Sequence, residues 1–174
     1  MVRGEEVKIT HEVLPLKKVF FDIRATAKCM FCEHYGKSAR CPPNIPGADY
    51  WKEVITNYSS GDLVVVTATY TGPADFEEAR VKSSQYLLKE LRALERAWFN
   101  RNKYWVLSFS GGSCRFCETC AGTVCRFPHE SRVSMEGAGI DVFRTCEHHG
   151  ITLPKYPFPR DFGDVCRVGI VLVE

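Results

Sequence analysis

The chain has 174 residues, of which 45% are hydrophobic and 25% are charged, and this composition predicts a single domain over residues 1–174 with a hydrophobic core. Lys and Arg number 23 against 21 Asp and Glu, so the net charge is only +2 and no long run of like charge marks a nucleic-acid-binding arm. The start of the chain lacks a secretory pattern, and no apolar run approaches the ~18 residues of a membrane helix, so we expect a cytoplasmic protein with neither a membrane nor a nucleic-acid partner.

The first half of the chain contains two predicted strands and two predicted helices. Residues 17–23 (KKVFFDI) are predicted as a strand and residues 48–58 as a short helix. Residues 62–70 (DLVVVTATY) are β-branched and bounded by turn residues, which predicts a buried strand. A long helix is predicted over 74–101, because four apolar residues recur on one helical face: Leu87, Leu91, Leu94 and Trp98.

The second half continues with a strand at 104–110, a helix at 135–148 and a last strand at 165–174. The succession of strand, helix and strand over 62–110 predicts a right-handed βαβ unit with parallel strands. We therefore expect an α/β (or α+β) fold, in which a small central sheet with this parallel unit is flanked by helices and carries cysteine-rich metal-binding loops. Ligands of such sheets usually bind where the strands end.

Nine cysteines are the most unusual feature of the sequence. Disulfides do not explain them, because cytoplasmic thiols stay reduced and the number is odd. Seven fall into two groups, at residues 29–41 and 114–125: Cys29, Cys32 and Cys41, then Cys114, Cys117, Cys120 and Cys125. Thiolates select zinc, copper(I) or iron–sulfur clusters, so we expect metal at both groups. Cys146 and Cys166 stand apart, and they also fit buried, inert thiols.

The spacing of the second group favours an iron–sulfur cluster. Its first three cysteines recur at every third residue, as in the bacterial ferredoxin pattern C-x2-C-x2-C-x3-C-P. Here the fourth cysteine, Cys125, comes one residue later and Pro128 is displaced by two. Zinc sites usually combine two short knuckles that lie apart in sequence, so a third thiolate in the same turn is awkward for one ion. We therefore predict a [4Fe-4S] cluster, with zinc as the alternative.

The first group supplies only three thiolates, which is one short of a complete ligand set. The fourth ligand could come from another part of the fold, and the candidates are Cys125, Cys146, Cys166 and the loop histidine His34. Alternatively, one iron keeps an exchangeable position. These two outcomes predict different functions.

The two groups resemble a known family. The stretches YGKSARCPPNIPG and GGSCRFCETCAGTVCRFPHESRVSMEGAGIDV are similar to DUF2284, a family of small prokaryotic proteins described as predicted metal-binding. The resemblance extends from about Cys29 to the last strand. It implies that Cys32, Cys41 and the whole second group belong to the family pattern, with a further cysteine shortly before Cys32. Cys146 and Cys166 are additions of this chain.

Three functions follow from these observations. The first is an iron–sulfur protein, with one or two [4Fe-4S] clusters, that exchanges electrons with a redox partner protein. The second is an enzyme whose first cluster has three cysteine ligands, so that its open iron takes a small-molecule substrate or sulfide. The third is a structural zinc module without redox chemistry. Whether the protein is an enzyme, which partner it serves and whether it forms oligomers are not determined by the sequence.

Overall fold

The computed structural model describes residues 7–155 and 162–174. Its centre is a four-stranded sheet in the order β1-β2-β4-β3, in which every neighbouring pair is antiparallel. The strands are β1 (Val7–Val13), β2 (Ser60–Tyr70), β3 (Val106–Phe109) and β4 (Gly163–Val173). The helices are α1 (Ile23–Lys28), α2 (Ala48–Ile55), α3 (Pro73–Phe99) and α4 (Val142–Glu147). No helix in the described part of the chain combines the length and apolarity needed to cross a membrane.

Helix α3 covers one face of the sheet. It starts with Pro73 at its first turn, where a missing backbone N–H costs nothing. Leu87 and Leu91 are fully buried against side chains of β2 and β4, with Leu94 and Trp98 packed around them, which confirms the predicted apolar face. Gly169 of β4 makes this contact close, since a Cβ there would lie 3.0 Å from Leu91 and 3.1 Å from Leu87.

The opposite face of the sheet carries the larger part of the core. Here the alternate residues of β2 and β4, such as Leu63 and Ile170, pack against α2 and against the segment 133–146. This segment contains little regular structure apart from α4, but Met135 and Ile140 are completely buried. The result is a mixed α/β protein in which one layer beside the sheet is a helix and the other is built mostly from loops.

The predicted parallel pairing is wrong. Strands β2 and β3 do run in the same direction and are joined by α3, but β4 lies between them and pairs antiparallel with both. The hydrophobic runs of β2 and β4 are long because both strands are central and buried on two faces, a pattern that parallel strands also produce. The unit is therefore a split βαβ arrangement whose gap is filled by the last strand.

Two smaller predictions also fail, and one strand was not anticipated. Residues 17–23 do not form a strand: only Phe21 makes a single bridge, with Ile140, and α1 begins at Ile23. The helix predicted over 135–148 is confined to α4, because 135–141 forms tight turns with Gly139 at φ +86°. Edge strand β1 has mostly exposed side chains, so its sequence lacks the apolar run of a buried strand. The other predicted helices and strands are confirmed.

Truncation of the α3 contact should destabilise the sheet. Leu91→Ala removes a fully buried side chain, and we expect it to lower the free energy of unfolding by about 2–5 kcal/mol. Leu94→Ala removes a side chain that is only partly buried, so it should lower the free energy of unfolding by a smaller amount. Urea denaturation of both variants measures the difference. Equal losses for the two variants would contradict the placement of Leu91 at the centre of this layer.

Candidate metal centre

The four cysteines of the second group line one narrow cavity. They lie on the segment 111–131, which contains neither helix nor strand, directly after β3. Phe116 and Phe127 also line the cavity, with ring centroids 5.1 Å apart, and cover the thiols from one side. We name this the four-cysteine cavity: Cys114, Cys117, Cys120 and Cys125, with Ser38, Ala39, Arg40, Phe116, Phe127 and Ser131.

Hydrogen bonds from the first cysteine loop reach into this cavity. The Arg40 guanidinium donates to the Ser131 hydroxyl at 2.7 Å and to the Pro128 carbonyl at 2.9 Å. The Ser131 hydroxyl in turn lies 3.2 Å from the Cys125 sulfur. Because Ser131 accepts from Arg40, its own proton is free to point toward Cys125. Arg40 therefore orients a hydrogen-bond donor at one thiolate of the second group.

Two ion pairs tie the second cysteine loop to helix α3. Arg115 lies 3.1 Å from Glu77. Arg132 contacts both carboxylate oxygens of Glu95, and Ser108 of β3 joins this pair by hydrogen bonds. Residues 111–131 form no strand or helix, so no regular backbone hydrogen bonds position this loop. These ion pairs therefore help to hold it against α3.

The three cysteines of the first group line a much larger cavity of about 560 Å³. Cys29 follows the end of α1, whose first turn is capped by the Asp22 carboxylate. Cys32 comes one 3-10 turn later, and its N–H donates to the Cys29 carbonyl at 3.0 Å. Cys41 is almost fully buried at the back. We name this the three-cysteine cavity; its wall also includes His34, Glu136, Cys166 and Arg167.

The two cavities share a wall. Ser38, Ala39 and Arg40 face the four-cysteine cavity, and the next residue, Cys41, faces the three-cysteine cavity. In the same way residues 111–113 line the three-cysteine cavity, while Cys114 lines the other. Burial raises the pKa of Cys41, and the neighbouring thiols Cys32 and Cys114 raise it further, which places Cys41 between the two groups.

The structure places the candidates for a fourth ligand of the first group in different surroundings. Cys125 belongs to the four-cysteine cavity, and Cys146 is fully buried in the hydrophobic core without lining either cavity. Cys166 lines the three-cysteine cavity and contacts the Thr67 hydroxyl at 3.4 Å. His34 also lines it. Its buried Nε2 atom has no hydrogen-bond partner in the described part of the chain and lies 3.5 Å from a Glu33 carboxylate oxygen.

Glu136 lines the three-cysteine cavity, although its position in the sequence does not predict this. It is 95 residues from Cys41 and has no paired carboxylate nearby in sequence. The structure brings it to the cavity because Asp22 N–H donates to the Gly139 carbonyl at 2.9 Å, which holds the segment 134–141 beside the first cysteine loop. Both carboxylate oxygens of Glu136 accept from Gly112 N–H, at 3.1 and 3.3 Å.

The environments of the thiols differ strongly. Burial raises the pKa of Cys29 to about 11 and that of Cys146 to about 12. Burial also raises the pKa of Cys114, and the other three thiols of its group add to this shift. In contrast, the backbone N–H of Ala39 lowers the pKa of the exposed Cys120. Metal binding must remove these protons, so metal affinity should increase with pH.

The donor set fits a thiolate-bound metal, although the described conformation is not a finished site. Within residues 7–155 and 162–174, no three His, Cys, Asp or Glu side chains are gathered closely enough to hold an ion. The four-cysteine cavity, about 20 Å³ in volume, has room for about one water molecule. A cluster there would require the loop to move outward, and this loop has no sheet or helix hydrogen bonds to break.

The protein has a mixed α/β fold whose two cysteine cavities carry the donor types of thiolate metal sites. The sequence model of the family described as predicted metal-binding protein (DUF2284) matches residues 12–173, nearly the whole chain, so the chain belongs to this family. No curated protein matches the chain, and no solved structure matches it either.

The different thiol environments predict the order of alkylation in the reduced, metal-free protein. Because the thiolate is the reactive form, iodoacetamide should modify Cys120 first and Cys146 last. Peptide mapping by mass spectrometry over a time course at mildly alkaline pH measures each rate. Modification of Cys146 as fast as Cys120 in folded protein would contradict the burial of Cys146 in the core.

Proposed function

We propose that the protein is an iron–sulfur protein that binds a [4Fe-4S] cluster in the four-cysteine cavity and a second one in the three-cysteine cavity, and that it exchanges electrons with a redox partner protein. The observation that carries the proposal is the convergence of four tandem cysteines on one cavity that shares a wall with the other three. A bound [4Fe-4S] cluster supplies one-electron chemistry at a potential set by its surroundings.

The source of the ligands supports a cluster over a zinc ion. Structural zinc is usually held by two knuckles from separate parts of the chain. Here all four thiols of the cavity come from a single run of twelve residues, and among the described residues another loop contributes only Ser38, Ala39 and Arg40 to its lining. A loop can wrap a cube by giving each sulfur a separate iron, which tandem spacing suits. A structural zinc module is the competing function.

The shared wall supports electron exchange between the two sites. The segments 38–41 and 111–114 each line both cavities, and Arg40 links the first of them to Ser131 and thereby to Cys125. Phe116 and Phe127 shield the four-cysteine cavity from water on one side, and such shielding tunes the potential of a cluster. A short chain of contacts therefore connects the first group to the second.

The size of the three-cysteine cavity favours a second candidate function. A volume of about 560 Å³ lies in the range of pockets for small molecules, and the first group supplies three of its lining cysteines, with Cys166 as the fourth. In this alternative the protein is an enzyme whose first cluster keeps an open iron that acts as a Lewis acid or binds sulfide. Glu136 and Arg167, which line the same cavity, would then orient the substrate by hydrogen bonds.

Metal analysis of anaerobically purified protein tests the proposal. We expect a brown protein whose visible absorbance is bleached by dithionite, with about eight irons and eight acid-labile sulfides per chain for two cubes. Cys117→Ser should lose the second site, whereas Cys146→Ser, in the core, should keep the full iron content. Colourless protein that contains only zinc would rule out both iron–sulfur functions.

The same material separates the two iron–sulfur functions. Cyanide added to the reduced protein should change the EPR spectrum if the first cluster has an open iron. An unchanged spectrum supports complete ligation and electron exchange. His34→Ala and Cys166→Ala then identify which side chain closes the site, because loss of the fourth ligand should make the spectrum sensitive to cyanide.

The contact between Ser131 and Cys125 predicts a shift in reduction potential. Hydrogen bonds to a thiolate ligand stabilise the reduced cluster and raise its potential, so Ser131→Ala should move the potential of one cluster to a more negative value. Arg40→Ala should move it in the same direction, because Arg40 orients the hydroxyl. Thr123→Ala, an exposed hydroxyl in the same loop, serves as the control and should leave the potential unchanged. Redox titration followed by EPR measures all three, and an unchanged potential in Ser131→Ala would contradict the role of this contact.

A further inference from the structure

A second surface feature lies outside both cysteine cavities. It is an open groove of about 350 Å³ between α3, the start of β3 and the loop that follows Cys125. We name it the arginine groove after its main residues: Arg92, Arg96 and Arg132, with His129, Phe99 and Tyr104. It contains no cysteine, so the metal chemistry does not explain it.

The groove has an excess of positive charge. Its one carboxylate, Glu95, is engaged by Arg132 and Ser108. The side chains of Arg92 and Arg96 make no hydrogen bond or ion pair with any of the residues that the structure describes. They are four residues apart on α3, so they project from neighbouring positions on one side of the helix. Two uncompensated guanidinium groups are thus presented together.

Exposed aromatic rings border these charges. Phe99 is 57% exposed and Tyr104 59%, and their ring centroids lie 5.3 Å apart. The next residue, Trp105, is 74% exposed. Exposed aromatic side chains beside arginines are the residue types enriched in the cores of protein interfaces, where they bury large areas at low entropic cost. Trp105 does not line the groove, whereas Tyr104 and Val106 on either side of it do.

The groove is directly connected to the four-cysteine cavity. The segment 129–132 contributes His129 and Arg132 to the groove, while Ser131 lines the cavity and lies 3.2 Å from the Cys125 sulfur. A protein seated on the groove would therefore lie against the loop that carries the second group.

We propose that the arginine groove is the docking surface for an acidic electron-carrier protein that exchanges electrons with the cluster of the four-cysteine cavity. This inference rests on the proposed function and adds the chemistry of the partner. Positive charge on the groove complements an acidic surface and speeds the diffusional encounter, while the aromatic rings supply the apolar contact.

Binding of a small acidic flavodoxin, used as the probe, tests the proposal. We expect salt-sensitive binding in biolayer interferometry, because exposed charges are screened as ionic strength increases. The double variant Arg92→Glu/Arg96→Glu should weaken binding by about tenfold or more, and Arg92→Gln/Arg96→Gln should weaken it less. Lys89→Glu, on the same helix but lining a different groove beside β1, is the control and should change affinity by less than about twofold. Thermal unfolding confirms that each variant is folded.

Electron transfer provides the second measurement. After reduction by dithionite and removal of the excess, one electron leaves the reduced cluster and is taken up by the oxidised flavin, which gains a solvent proton to form the neutral semiquinone. The second-order rate should fall with added salt and in the double charge-reversal variant. It should also fall in Phe99→Ala/Tyr104→Ala, which removes apolar contact without changing charge.

The outcomes separate this proposal from the function on which it rests. Iron and sulfide contents of the variants should equal those of the wild type, since none of the altered residues lines a cysteine cavity. A wild-type protein without a cluster would overturn the proposed function. A full cluster content would leave that function standing, and the docking surface alone would then be overturned if flavodoxin binding were absent, salt-independent or unaffected by charge reversal. Tighter binding of a single-stranded oligonucleotide than of flavodoxin would overturn it as well, since it would assign the groove to nucleic acid.

Discussion

The insertion of β4 between β2 and β3 is the constraint on which the rest of the structure depends. Strand β3 ends at Phe109, but β4 extends further toward Gly163, so the edge of β4 is uncovered beyond β3. Gly111 lies against this edge so closely that a Cβ would come within 2.4 Å of the Val168 carbonyl oxygen. The second cysteine loop therefore starts at a fixed position on the edge of β4. An isolated β-bridge between Ser110 and Ser134 holds the segment that follows the loop beside this starting point.

Because this loop has no regular structure, side-chain contacts determine its position. The pairs Arg115–Glu77 and Arg132–Glu95 tether it to α3, and Arg40 tethers it to the first cysteine loop. Such a loop combines two properties that a cluster-binding site needs. It is held near its final place, yet it retains the freedom to open around a cofactor larger than the present cavity. The Arg132–Glu95 pair lies outside the run of cysteines, whereas Arg115 lies between Cys114 and Cys117.

The two cavities differ in a way that suggests a division of roles. The four-cysteine cavity is narrow, has a complete thiolate set and adjoins the arginine groove. The three-cysteine cavity is wide, takes only three cysteines from its own loop and presents Cys166, Glu136 and Arg167 from other parts of the chain. In the proposed function, electrons from a docked partner would reach the complete site first and the three-cysteine site second. The order follows from position alone: the groove and the three-cysteine cavity contact opposite ends of the same loop.

The sequence by itself determined the long helix, the central strands and the two cysteine groups, because these depend on local periodicity and on spacing along the chain. The sequence left open which group Cys125 serves, and the fold placed it in the four-cysteine cavity with the other three cysteines of its loop. Only the tertiary structure decided the antiparallel order of the sheet, since a strand inserted from the end of the chain leaves no local signal in β2 or β3. In the same way, only the fold could bring Glu136 to the first cysteines and remove Cys146 to the core, because contacts between segments about 100 residues apart are set by packing and have no counterpart in sequence spacing.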